Sequence, residues 1–146
     1  MKIALANDHT GYHLKSTLKA YLEGKGYTCV DYGCGDVKTA DYPVFGEAAA
    51  RGVAGGNCEM GIVICGTGFG ISLAANRVKG IRCVNCSEPY TATMARLHND
   101  ANMLSLGARV VGEELAKMIV DAFLQTNFEG GRHQRRLDIL DAIDRN

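Results

Sequence analysis

The chain predicts an α/β fold in which a five-stranded parallel sheet lies between two layers of helices. Three observations point there. Short strand-like apolar runs occur five times, each followed by a stretch with helical spacing. Glycine or proline marks most of the turns between them. The 146 residues suit one domain, spanning 1–146, and no repeat or composition break divides it.

Element by element, Lys2 to Asn7 reads as a buried strand. Gly11 to Gly24 is an amphipathic helix with Leu14, Leu18, Tyr21 and Leu22 on one face, closed by Gly24 and Gly26. Tyr27 to Tyr32 is the second strand, and a polar loop runs from it to Pro43. The second helix covers Val44 to Val53 and stops at Gly55-Gly56. Met60 to Ile64 is the third strand, and the third helix spans Gly70 to Val78. The fourth strand is Ile81 to Asn85, and Pro89 opens a helix that ends near His98. Met103 to Leu106 is the fifth strand, with a helix from Gly112 to Leu124 after it. A last helix, 132 to 144, is basic first and acidic later. Such alternation makes a Rossmann-like three-layer sandwich, whose ligands sit outside the carboxyl ends of the strands. Asn7 to Thr10, Cys65 to Gly70, Ser87, Glu88, Gly107 and Arg109 should meet at that edge.

Charge and composition exclude several classes. Lys plus Arg and Asp plus Glu number 16 each, so no global basic field draws in nucleic acid or a membrane surface. A near-neutral small domain associates readily, which favours an oligomer. No apolar run approaches the roughly 18 residues that span a bilayer. Met1-Lys2-Ile3-Ala4-Leu5 enters a strand directly, without a signal-peptide layout, so a cytoplasmic protein is expected. The six cysteines lie scattered at 29, 34, 58, 65, 83 and 86, and reduced thiols are the expectation. Cys83 and Cys86 form a C-x-x-C in a strand, where residues three apart face opposite ways and cannot pair.

Most of the chemistry is concentrated in Gly61-Ile-Val-Ile-Cys65-Gly66-Thr67-Gly68-Phe69-Gly70-Ile71. A strand ends on a thiol, alternating glycines follow, and a helix begins. Glycine lets backbone approach a ligand, and a turn opening a helix aims free N–H groups at one point. A thiol there sits where a thiolate is stabilised. The run reads as a nucleophile or base beside a cradle for negative charge, or else as a plain tight turn. It is not a dinucleotide fingerprint, because the third glycine is misplaced, and it lacks the Gly-Lys-Ser/Thr of a P-loop. Asp8-His9 follows the first strand and is either functional or a helix cap. His98-Asn99-Asp100 closes a helix, where such residues are ordinary terminators. Arg132 and Arg136 share a helix face that either binds phosphate or pairs with Asp138, Asp141 and Asp144.

Several segments together resemble the type B ribose-5-phosphate isomerase family, which includes galactose-6-phosphate and allose-6-phosphate isomerases. They are Asn7-Asp8-His9-Thr10-Gly11, Asp41-Tyr42-Pro43, Ile64 to Ile71, Ala74 to Arg77, Gly80-Ile81-Arg82, His98 to Asn102, Gly107 to Gly112 and Glu129 to His133. They follow the family's order along nearly the whole chain. The resemblance implies aldose–ketose isomerisation of a sugar phosphate through a cis-enediolate, without metal or cofactor. It implies Cys65 as the base, Thr67 as a polar partner at the reacting oxygens, and the amides of Gly66, Gly68 and Gly70 as the oxyanion cradle. It implies His98 for ring opening, with Asp8 and Asn99 on hydroxyls, and His9, Arg109, Arg132 and Arg136 on the phosphate. It further implies a homodimer or homotetramer with sites shared between subunits, joined through the last helix. The intact His98-Asn99 favours ribose 5-phosphate over a six-carbon sugar phosphate. A non-catalytic sugar-phosphate-binding module would be expected to lose Cys65, His98 or the arginines. Asn7 and Asn85-Cys86 depart mildly from the family's pattern.

Overall fold

The computed structural model describes residues 1–143. Five parallel strands, β1 (Lys2–Asn7), β2 (Thr28–Asp31), β3 (Met60–Cys65), β4 (Cys83–Asn85) and β5 (Met103–Gly107), form one sheet in the order β2-β1-β3-β5-β4. Six α-helices accompany them: α1 (Tyr12–Gly24), α2 (Tyr42–Ala54), α3 (Phe69–Ala75), α4 (Pro89–Asn99), α5 (Glu113–Gln125) and α6 (Arg132–Asp141). A single 3-10 turn, His9–Gly11, precedes α1. The expected end of the last helix, at residue 144, lies outside the described residues.

Strand alternation divides the core into two layers. Ile3, Leu5, Ile62, Ile64, Leu104 and Leu106 face the layer containing Leu14, Leu18 and Phe123. Ala4, Ala6, Val63 and Cys65 face the other, with Ala49, Ala50 and Ile71 of α2 and α3. Cys83 and Cys86 fall in opposite layers, as a strand demands. Small residues let α2 lie close to α3: a Cβ on Gly46 would come within 2.9 Å of the Ile71 carbonyl oxygen. All six cysteines are free. Among the described residues no helix is long and apolar enough to cross a membrane.

Several boundaries differ from the sequence reading, and four of the differences have a plain local reason. Helix α2 begins two residues earlier, at Tyr42, because Asp41 is its N-cap and Pro43 sits in the first turn. Helix α3 stops at Ala75 rather than Val78 because Asn76 turns away. The Asn76 amide donates to the Cys83 carbonyl and its oxygen accepts from Cys83 N–H, each at 2.8 Å. Strand β4 starts at Cys83 rather than Ile81 because the Arg82 N–H is taken by Asn102 Oδ1 at 2.9 Å. Helix α1 starts at Tyr12, since His9 to Gly11 form the tighter turn.

Candidate active site

The sheet order changes direction between β1 and β3, and chain leaving these two strands opens a crevice at their carboxyl ends. Asp8 leaves β1 and is tied to β3 by its own N–H, which donates to the Ile64 carbonyl at 3.1 Å. Gly11 lies so close to β3 that a Cβ would stand 2.8 Å from the same oxygen. Cys65 ends β3, buried, with its sulfur on the α2–α3 face. The glycine loop then turns through Gly68, whose φ of +85° admits glycine readily and other residues only with strain. That turn brings the Gly68 N–H onto Cys65 Sγ at 3.1 Å. An N–H aimed at sulfur suits an anionic form of it.

Other predicted residues gather around this loop. Loop and β5 exit are laced together by Ala108 N–H to the Cys65 carbonyl at 2.8 Å and Arg109 N–H to the Gly66 carbonyl at 3.0 Å. A Cβ built on Gly66 would lie 3.6 Å from Arg109 Nη1 and from Thr10 Oγ1, so both groups border that glycine. Thr67 Oγ1 accepts from Phe69 N–H at 3.2 Å, capping α3, and the residue is exposed. Asp8 caps as well: Oδ1 accepts from the Thr10 N–H at 2.9 Å and from its hydroxyl. The cap reading and a binding role are compatible, because Oδ2 stays uncommitted in these bonds. His9 Nδ1 lies 3.2 Å from Ala40 N–H. Nδ1 also lies 3.3 Å from the Ala40 carbonyl oxygen, so the ring tautomer decides whether it accepts from that N–H or donates to that carbonyl.

His98, Asn99, Arg132 and Arg136 lie elsewhere. Helix α4 runs back against the strands, so its last residues reach the amino edge of the sheet. Asn102, three residues past Asn99, gives its carbonyl to Gly61 N–H at the start of β3. Cys65 is four residues further along that strand, about 13 Å away by strand rise. Helix α6 joins His98 there. The Glu129 N–H bonds the Leu97 carbonyl at 3.1 Å, and the His133 ring stacks on His98 with centroids 4.3 Å apart and planes 15° apart. Arg132 pairs with Glu129 at 3.5 Å, Asp138 accepts from Gln134, and Asp141 holds Arg82 through both oxygens. Of the acids that the arginines could pair with on their own helix, Asp138 and Asp141 have other partners, Asp144 lies outside the described residues, and Arg136 is exposed. One chain thus carries its candidate site residues in two groups, on opposite edges of the sheet.

Three residues of interest went unread. His133 is buried, and burial, Arg132 and His98 push its pKa down from the usual imidazole value. Its Nε2 has no hydrogen-bond partner and stands 3.8 Å from Glu129 Oε1. His98, Glu129 and His133 offer ligand atoms within 4.8 Å of one another. Tyr42 is the second: its ring would lie 2.7 Å from a Cβ on Gly70, flat against the loop. Asn85 is the third, donating to the Thr67 carbonyl at 3.2 Å. The five cysteines other than Cys65 all have thiols raised by burial, Cys29 to about 11 and Cys83 to about 12.

Comparison with known proteins places this arrangement in a family. The Ribose/Galactose Isomerase family model matches residues 3–140, and the chain belongs to that family. Ribose-5-phosphate isomerase B of Escherichia coli K12 is 52% identical over 143 residues, covering 98% of this chain and 96% of that one. The solved structure of Clostridium thermocellum ribose-5-phosphate isomerase B matches with a TM-score of 0.95 at 50% identity, covering 97% of this chain and 95% of the other. That of the Mycoplasma genitalium enzyme, solved with bound ribulose-5-phosphate, matches at 0.89 and 43%, covering 96% and 93%.

Proposed function

We infer that the protein is an aldose–ketose isomerase that interconverts ribose 5-phosphate and ribulose 5-phosphate through a cis-enediolate. The observation that carries this is the Gly68 N–H directed at the Cys65 sulfur, at the mouth of a glycine loop, in a chain so similar to isomerases of this kind. In this reading the Cys65 thiolate removes the C2 proton of the open-chain aldose and returns it to C1. Amides of Gly66, Gly68 and Gly70, with Thr67, hold the oxygens as charge develops on them. His98 opens the sugar ring, while Asp8 and Asn99 hold hydroxyls. His9, Arg109, Arg132 and Arg136 bind the phosphate. None of these steps calls for a metal or cofactor. Six free thiols fit a reducing, cytoplasmic setting.

The site is completed by a second copy of the chain, as a homodimer or a pair of dimers. Support comes from the separation of Cys65 from His98 within one chain, which a single substrate cannot bridge while also touching Arg136. Further support comes from exposed apolar side chains beside the glycine loop, Phe69 at 61% and Leu73 at 65%, which a partner would cover. The carboxyl edge of one subunit then meets the α4–α6 corner of its neighbour.

A direct assay tests the activity: conversion of ribose 5-phosphate, run beside allose and galactose 6-phosphates. Turnover confined to a six-carbon sugar phosphate would replace the substrate, and binding without turnover would leave a sugar-phosphate-binding module. Mixing tests the shared site. At a ribose 5-phosphate concentration well below the wild-type KM, Cys65→Ala should be weak through lost kcat and the double variant Arg132→Ala/Arg136→Ala through lost affinity. Random re-pairing yields half mixed dimers, each with one intact site of two, so about a quarter of wild-type activity returns. No recovery after proven subunit exchange would place the whole site within one chain.

A further inference from the structure

The peptide unit joining Thr67 to Gly68 is gripped at both ends. Its N–H donates to Cys65 Sγ at 3.1 Å, and its carbonyl accepts from Asn85 Nδ2 at 3.2 Å. Asn85 ends β4, on the far side of β5 from the loop, so its amide reaches across a whole strand. Midway it rests on Ser105, a fully buried residue of β5, whose Oγ lies 3.0 Å from the same nitrogen. The carboxamide is close enough that a Cβ on Gly68 would overlap it.

A peptide unit is planar, with N–H and C=O pointing opposite ways, so fixing one fixes the other. The peptide before a positive-φ glycine is the one that flips between alternative turn types. Flipped, the Thr67–Gly68 unit would present its carbonyl oxygen to the sulfur and repel a thiolate. A donor on the carbonyl selects against that flip and polarises the N–H at the other end. We propose that Asn85, seated on Ser105, is a positioning residue for proton transfer: it holds the Thr67–Gly68 peptide so that its N–H stays on the Cys65 sulfur. Asn85 acts through one peptide plane and touches no reacting atom. It also supplies a role for one of the positions at which this chain departs from its family's pattern.

The inference rests on the isomerase reading, and the test separates the two. Asn85→Val, Asn85→Asp and Ser105→Ala are assayed with ribose 5-phosphate, and Asn85→Val is also combined with Cys65→Ala. Both Asn85 variants should lose about tenfold in kcat with KM within twofold, because the phosphate contacts are untouched. Ser105→Ala should lose less, in the same direction. On the Cys65→Ala background, Asn85→Val should cost less than twofold in residual activity, since the sulfur it serves is gone. An unchanged kcat, a KM that rises in step, or an equal loss on both backgrounds would overturn the proposal. Asn85→Asp keeps size and loses the donor, so it decides the matter should valine disturb folding. A wild-type protein inert toward ribose 5-phosphate would instead count against the isomerase reading.

Discussion

Replacing Gly68 with alanine should damage this protein far more than the same change at Gly66, two residues away. Gly68 has a φ of +85°, where an L side chain costs roughly 1–2 kcal/mol. Its new Cβ would also stand 2.9 Å from the Leu106 carbonyl carbon, which is backbone of β5. The Asn85 amide can swing aside. Strand β5 cannot shift without disturbing its register with β3, so overpacking adds about 1–3 kcal/mol. The total is about 2–5 kcal/mol. A Cβ on Gly66 meets nothing closer than 3.6 Å, so Gly66→Ala should stay within about 1 kcal/mol of wild type. Urea unfolding at matched protein concentration reads the difference. With a slope of about 2 kcal/mol per molar, Gly68→Ala should lower the midpoint by about 1–2.5 M and Gly66→Ala by less than about 0.5 M. Equal midpoints for the two variants would refute the argument that the left-handed turn is locked against β5.

Cys65→Ala should cost roughly 10²–10⁴ in kcat with the fold kept, whereas Cys83→Ala, on the opposite side of the chemistry, should leave kcat within twofold; steady-state kinetics beside circular dichroism compare them. Arg136→Ala should raise KM about tenfold with kcat little changed, because a charge-assisted bond of roughly 1.5–3 kcal/mol is lost from both ground and transition states. Exhaustive chelation should leave activity intact; loss restored by one divalent ion would bring His98, Glu129 and His133 forward as its ligands. The His133 pKa lies below its unfolded value, so the unfolded chain binds more protons as pH falls below about 6.5, and stability drops with it. Thermal melts from pH 7 to pH 5 should therefore show a smaller decline in His133→Phe than in wild type.

The five strands were legible because each is a short apolar run between turn signals, and the two-layer core followed from their alternation. The inner place of β5 and the edge place of β4 were harder to read. Only the contrast between an all-buried Met103–Gly107 and a short, half-buried Cys83–Asn85 hints at the exchange. The early end of α3 was hidden because Asn76 spends its side chain on a distant strand. Half of the candidate site was legible from strand topology: whatever follows β1, β3 and β5 must meet at one edge. The other half was only recognised by resemblance. A helix that follows a parallel strand must run back, so the opposite location of His98 was implicit in its place at the end of α4. The His133 stack and the Asn85 reach depend on side-chain directions across elements distant in sequence, and no local pattern announces them.

Complementary halves on opposite edges of one chain, as proposed, would constrain how copies can assemble. Joined head to tail in an open row, n chains would finish n − 1 sites and leave an unused half at each end. Joined about a twofold axis, two chains finish both sites and leave none over. The twofold pair is thus the smallest assembly without waste, and dilution that separates it abolishes both sites at once. Well below the dissociation constant, specific activity should then fall in proportion to protein concentration, a dependence that an enzyme with a self-contained site does not have.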